Sequence, residues 1–436
     1  MRIEERQLRV SAGGDPRLRE AFDRACRELC GTGEAPLRFV VTRSDRSAFE
    51  CECDVLCADA DDAAATVPSI FEFRRRQFER QTQFTAVLVI PTGIGAVLGG
   101  HAGDANALAR YLASACDTLV THPNVVNASD VNELPANGVY VEGSLLSRML
   151  MGACGLRRVR ANRILLVLDR HAEEIMMAPL VNAASTARTT LGADIVDVIA
   201  MRRPVRAAAE FSPGGRAVGR VDNLRPLLDL IADRRAEFDA LALASVIDFP
   251  EEEHKKYLDA RGDMVNPWGG AEAMLTHALA LCADLPCAHA PMLTSSQILA
   301  QVAPVVDPRM AAEELSCGFI HCVLKGLQRA PQIVDDPALM LQPDCLAAED
   351  VNCLVIPDRC LGLPVLAALE QGITVIAVRE NRSNMNNDLE LLPFARGQLV
   401  TVDNYVEAAG VMQALKAGVT LESIRRPLTD TGLSQF

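Results

Sequence analysis

Between Val87 and Ser144, short apolar runs alternate with stretches dense in glycine, histidine, asparagine and acidic residues: PTGIGAVLGGHAGDA at 91–105, THPNVVNASDVNELP at 121–135 and YVEGS at 140–144. Turns alone do not need so many hydrogen-bonding side chains close together, so the stretch reads as the wall of a small-molecule site. His101 and His122 are its candidate proton carriers, because imidazole titrates near working pH, and Asp104 lies three residues from His101 as a partner. Glu142 follows an apolar run and precedes Gly143. At the mouth of a sheet, partly desolvated, it is expected to have a raised pKa and to serve as the second acid or base. Thr92, Gly93, Gly95, Gly99 and Gly100 form a glycine-rich loop whose backbone N–H groups suit an anion.

Further residues extend this set. Asn124 and Asn127 are candidate substrate contacts, although with Asp130, Asn132 and Glu133 they also fit a hydrogen-bonded turn network. Asn266 and Trp268 lie in DMVNPWGG at 263–270, with Glu272 and His277 on the helix that follows; the indole either stacks on a ligand or plugs the core. Arg379 and Asn381 look like a clamp for a carboxylate or phosphate. Cys360, before a helix, is placed like a nucleophile with a lowered pKa. His101, Asp104 and His122 would become ligands if a metal were bound, but no metal is assigned. The glycine spacing resembles the dinucleotide fingerprint with its third glycine one place late. The loop runs on through Gly103, and the second strand ends in His122-Pro123-Asn124 rather than an acid, so NAD(P) is disfavoured and the cofactor stays open.

These residues need elements to hold them. Candidate strands are Ala86–Ile90, Thr118–Thr121, Gly138–Glu142, Arg163–Asp169, Ile195–Ala200, Ala240–Asp248, Cys353–Pro357, Thr374–Arg379 and Gln398–Val402. Helical periodicity falls between many of them, as in Ala105–Ala115, Glu173–Leu191, Leu224–Phe238, Ala271–Cys282, Leu363–Gln371 and Tyr405–Ala417. Apolar runs alternating with helices imply an α/β fold: a Rossmann-like, doubly wound, mostly parallel sheet with a small N-terminal α+β piece and a helical insertion. The expected division is 1–66 (α+β, with strands Leu37–Thr42 and Ala48–Leu56 and a helix opened by Asp15 and Pro16), 67–250 (the α/β core), 251–335 (helical insertion or lid) and 336–436 (C-terminal α/β part). Ala58–Thr66 is the candidate linker, Ile70–Gln81 a candidate helix and Ala311–Leu327 another, which carries Cys317 and Cys322. In such sheets ligands bind beyond the carboxyl ends of the strands, where the polar residues fall.

Composition narrows the function. A net charge of −14 argues against nucleic acid as partner. The one basic cluster, Arg74-Arg75-Arg76 with Arg80, reads as a solvated helix face. MRIEERQL lacks a signal-peptide core and no apolar run spans a bilayer, so the expectation is a cytoplasmic protein with no membrane partner. Fourteen cysteines without a CxxC are read as reduced thiols; Cys51, Cys53 and Cys57 share one face of a strand as small core residues.

PTGIGA (91–96), GGHAGDA (99–105), THPNVVNASDVNELP (121–135), YVEGS (140–144), GRAVGRV (215–221), NPWGGAEAMLTHAL (266–279), VDPRMAAE (306–313) and IAVREN (376–381) together resemble the bacterial and cyanobacterial domain-of-unknown-function family 3326. The likeness runs from about residue 70 onward and departs at Val97-Leu98, where a Glu-Ile pair is expected. It implies homology and supplies no activity. From the residues themselves, the expected function is a non-redox enzyme, a hydrolase, lyase or isomerase, acting on a small anionic metabolite. The alternative is a nucleotide- or dinucleotide-binding transferase or sensor, and after it a non-catalytic interaction protein. A homodimer is the base-rate expectation.

Overall fold

The short apolar runs of the predicted core are buried on both faces, which a strand needs when helices cover both sides of its sheet. The computed structural model describes residues 1–12, 17–58, 67–295, 306–310, 313 and 319–435. Six of these runs form one wholly parallel sheet: β1 (Thr85–Leu88), β2 (Thr118–Thr121), β3 (Gly138–Tyr140), β4 (Val351–Pro357), β5 (Thr374–Val378) and β6 (Leu399–Val402), in the order β6-β5-β4-β1-β2-β3. The helix Asn106–Ala113 connects β1 to β2 and packs against Tyr405–Lys416, while α1 (Gly143–Leu150) follows β3 and packs against Leu363–Gln371.

The second sheet is mixed and ten-stranded. Its parallel part holds Asp194–Ala200, Arg163–Leu168, Ala240–Asp248 and Cys287–Met292. Arg206–Phe211 joins the end of Ala240–Asp248, and the sheet continues antiparallel through Ala217–Asp222, Arg2–Ser11, Ala48–Cys57 and Glu34–Ser44 to Leu361–Gly362. The helix α2 (Trp268–Ala283) packs on the second sheet and on α1, and so bridges the two. No helix of the described residues is long and apolar enough to cross a membrane.

The fold is α/β, and all nine expected strand segments are strands. The sheets cut across the expected four-part division. The N-terminal strands share a sheet with strands from 163–292, and β1–β3 pair through β4 with the C-terminal strands. Segment 251–335 is not purely helical either, since Cys287–Met292 lies in the sheet beside Ala240–Asp248. Ile70–Gln81 forms no helix. Its polar groups bond to distant chain instead: Arg74 N–H donates to Met151 O, Arg80 N–H to Glu349 O, and the Arg76 guanidinium to the carbonyls of Gln371, Val351 and Gly372. Arg76 thus ties this segment to the start of β4 and the end of the helix Leu363–Gln371 and does not face solvent on a helix. Asp15 and Pro16 lie outside the described residues, as do 59–66 of the linker and Cys317; the N-terminal helix is Leu18–Leu29, and the described part of the later one is Ile320–Gln328. Cys51, Cys53 and Cys57 are free and buried, as expected of core residues.

Candidate functional site

The carboxyl ends of β1, β2, β3 and β4 open on one cavity of about 1180 Å³, roofed by α2 and the second sheet. Thr92 and Gly93 reach it after β1, His122 after β2, Glu142 after β3 and Cys360 after β4.

Glu142 is the N-cap of α1. Its Oε2 accepts from the backbone N–H of Ser144 (2.9 Å) and Leu145 (3.2 Å) and from the Ser144 hydroxyl. These bonds saturate one oxygen and fix the carboxyl plane. The other oxygen, Oε1, lies 2.8 Å from Nδ1 of His277 on α2, a close carboxylate–imidazole contact. Burial alone would raise the Glu142 pKa, but the charge of a protonated His277 and the bonds from Ser144 and Leu145 outweigh it and hold the carboxyl below its ordinary range. The raised pKa expected from the sequence is therefore corrected: Glu142 is a fixed anion, and the group it presents to the cavity is His277. His277 makes no other hydrogen bond among the described residues, and its side chain is 14% exposed.

His122 is buried, and its Nε2 accepts the Ile90 N–H (3.2 Å), so the ring proton belongs on Nδ1. Burial, the largest influence, lowers its pKa to about 4 despite the Glu142 charge. It is a neutral donor at pH 7. The sign follows from linkage: between about 4 and 6.5 the unfolded chain binds the proton and the folded chain does not, so stability is full above 6.5 and falls as pH drops toward 4. We expect His122→Gln to remove about 2 kcal/mol of the stability lost between pH 7 and 4.5, read by urea denaturation at both pH values.

The other predicted residues divide between wall and scaffold. Gly100, Asn124, Asn127, Asn266 and Trp268 line the cavity. The Asn124 amide donates to the carbonyls of Ile90 and Gly99, and that of Asn127 to the Tyr140 hydroxyl, so both serve the turn network as well. Trp268 packs edge-on against Tyr257, His254 and Phe249. His101 is spent on structure: Nδ1 meets the Tyr257 hydroxyl at 2.7 Å and Nε2 the Gly262 carbonyl at 3.3 Å, while Tyr257 donates to Glu313. Asp104 accepts from Gly99 N–H at 2.6 Å, so that amide is unavailable to an anion. Gly95 faces Val265 and Asn384. The clamp is also corrected. Arg379 is exposed against Asp403, and the Asn381 side chain bonds the Leu98 backbone and the Tyr405 hydroxyl; neither lines the cavity.

Cys360 does line the cavity, but burial pushes its thiol up to about 12, against the lowering expected from a helix start. Iodoacetamide at neutral pH should leave Cys360 unlabelled in the folded protein and label it fully in urea, as read by peptide mass spectrometry.

Several cavity residues received no role from the sequence. His277 and Glu272 stood out only as polar residues on an apolar helix, and His289 as one histidine in CAHAPM. Arg38 and Arg216 also line the wall, over a buried acidic group: Arg216 Nε lies 2.6 Å from Glu52, and Arg38 Nε 2.5 Å from Asp54. Beside them burial, helped by the Glu52 charge, raises Glu5 to about 7. The alternation of charged residues in strands Glu34–Ser44 and Ala48–Cys57 was the available signal for this group.

The family model described as a protein of unknown function, DUF3326, matches residues 85–425. Over 339 residues the chain is 36% identical to an uncharacterized lipoprotein of Synechococcus sp., covering 77% of this chain and 91% of that protein. No solved structure matches. His122, Glu142, Glu272, His277 and His289 fall inside the matched span, whereas Arg38 precedes it. The span takes in most of the chain, both sheets contribute to it, and the chain belongs to the DUF3326 family, proteins of unknown function.

Proposed function

We propose that this protein is a non-redox enzyme that moves protons on an anionic metabolite, with His277 as the proton-transfer group and Glu142 holding its ring and its charge. The observation that carries the reading is the 2.8 Å contact of a fixed, buried carboxylate with an imidazole at a cavity wall. A carboxylate behind an imidazole orients it and stabilises the imidazolium formed when it takes a proton. His122, neutral with its Nδ1 proton to offer, acts as a hydrogen-bond donor rather than a base.

Strand order supports the placement. β1 and β4 are neighbours, and the chain runs outward from them in both directions; in doubly wound sheets ligands sit at such a switch point. Arg38 and Arg216 supply cations for the substrate's anionic group; Arg38 Nη2 has no hydrogen-bond partner among the described residues. The cavity, at about 1180 Å³, suits a molecule larger than a three- or four-carbon acid. A nucleotide phosphate is less well served, because Asp104 occupies the Gly99 amide and Gly95 faces away.

The test is to incubate purified protein with a bacterial metabolite extract and compare wild type with His277→Gln by mass spectrometry. We expect at least one anionic metabolite to fall with wild type and persist with the variant. An extract unchanged by wild type would sink the reading.

A further inference from the structure

The cavity holds a second carboxylate–imidazole pair, arranged in the reverse sense. Glu272, also on α2, lines the cavity with its side chain 29% exposed, and its Oε1 lies 3.4 Å from Nδ1 of His289, whose side chain is 1% exposed. Behind the ring, Nε2 of His289 meets the Ser245 hydroxyl at 2.8 Å, and Ser245 is fully buried. All four side chains line the cavity; in the first pair the imidazole is the more exposed member (14% against 2%), and here the carboxylate is (29% against 1%). Ser245, sealed behind His289, is not placed as a nucleophile. Its contact with Nε2 holds the ring with Nδ1 on the side of Glu272, 3.4 Å from Oε1 and without a hydrogen bond formed to it.

Glu272 and His277 are five residues apart on one helix, about 7.5 Å along its axis and roughly 140° around it. Their partners come from different places: His289 from a strand of the ten-stranded sheet and Glu142 from the end of β3. Hydrolysis by a single acid–base group needs only one such station, which takes and returns the same proton. Two stations on separated walls suit a substrate that loses a proton at one atom and gains one at another.

We infer that Glu272 is a second proton-transfer group of this cavity, positioned by His289 and Ser245, and that the reaction is an elimination or isomerisation rather than a hydrolysis. The inference rests on the acid–base reading of His277 above. Glu272 takes a carbon-bound proton, and the electron pair of that C–H bond becomes part of a new or shifted double bond. Protonated His277 delivers its proton to the oxygen that leaves as water, or to the far carbon of the shifted bond. No oxidant or reductant enters.

The experiment repeats the extract incubation in D2O and, separately, in H2(18)O, with wild type, His277→Gln, Glu272→Gln, Glu272→Asp and His289→Gln. Wild type should place deuterium on carbon in substrate or product. His277→Gln should cut product by about 10²-fold or more yet keep deuterium exchange within a few-fold. Glu272→Gln should lose both, and Glu272→Asp should restore part of each, which distinguishes a lost base from a lost fold. His289→Gln should slow exchange with KM unchanged. Exchange that survives Glu272→Gln, exchange that disappears with His277→Gln, or product carrying ¹⁸O with no carbon-bound deuterium would each overturn the second station while leaving the acid–base reading intact. An extract that wild type leaves unchanged overturns both.

Discussion

His277→Gln is expected to lower product formation by on the order of 10²–10⁴-fold while the protein keeps its circular dichroism spectrum and thermal midpoint. Glutamine has similar reach but cannot carry a proton between substrate and solvent. Because His277 stands 14% exposed at a cavity wall, its loss leaves only Glu142 Oε1 short of a partner, and Thr276 Oγ1 still donates to that oxygen at 3.3 Å. Glu142→Gln should lower turnover as well, for a different reason. The imidazolium formed in the reaction would lose its counter-charge, and a helix cap would weaken, costing about 1 kcal/mol of stability. That stability has a pH signature. Glu142 is held below its ordinary pKa in the folded state, so its contribution is present above the unfolded value near 4.5 and is lost as pH falls below it. Equal losses of activity and thermal midpoint in His277→Gln would show a structural residue and count against the assignment.

Gly270→Ala is expected to destabilise the protein by about 3 kcal/mol or more and to abolish activity. Helix propensity alone predicts the opposite, a gain of about 1 kcal/mol for alanine over glycine inside a helix. Packing decides the sign. A Cβ on Gly270 would lie 2.4 Å from both the carbonyl carbon and the oxygen of Ala217 and 2.5 Å from the Val218 nitrogen, all of them backbone atoms of a sheet that cannot move aside. Gly269 is similarly pressed against Thr92. These two glycines let the start of α2 sit against the glycine-rich loop and the second sheet, and so bring Glu272 and His277 to the cavity. Gly410→Ala is the control. That glycine sits within the helix Tyr405–Lys416 with nothing within 4 Å of its would-be Cβ, and alanine there should stabilise by up to about 1 kcal/mol. Urea denaturation of both variants reads the contrast; two changes of the same sign would refute the packing argument.

The sequence by itself determined the α/β class and all six strands of the six-stranded sheet. Runs such as Val351–Pro357 and Thr374–Val378 are apolar on both faces, and that is a local property of strands covered on both sides. It also placed Thr92, His122 and Glu142 at strand ends, where they meet the cavity. Other segments were hidden for local reasons too. Arg2–Ser11 reads as polar because its neighbouring strands partly cover charged residues, and Ile70–Gln81 reads as helix because nothing nearby reveals that Arg76 bonds to residues 351 and 371–372. Only the tertiary structure decided which titratable groups meet. Glu142 finds His277, and Glu272 finds His289, across distances along the chain that no spacing rule connects. It also decided the direction of each pKa. Glu142 and His122 are both buried, and burial disfavours either charge; the nearby His277 and the cap bonds reverse that for Glu142, while His122, whose Nε2 only receives a backbone N–H, stays neutral. Desolvation and Coulomb energies depend on distances through space, and those are set when two sheets close around α2.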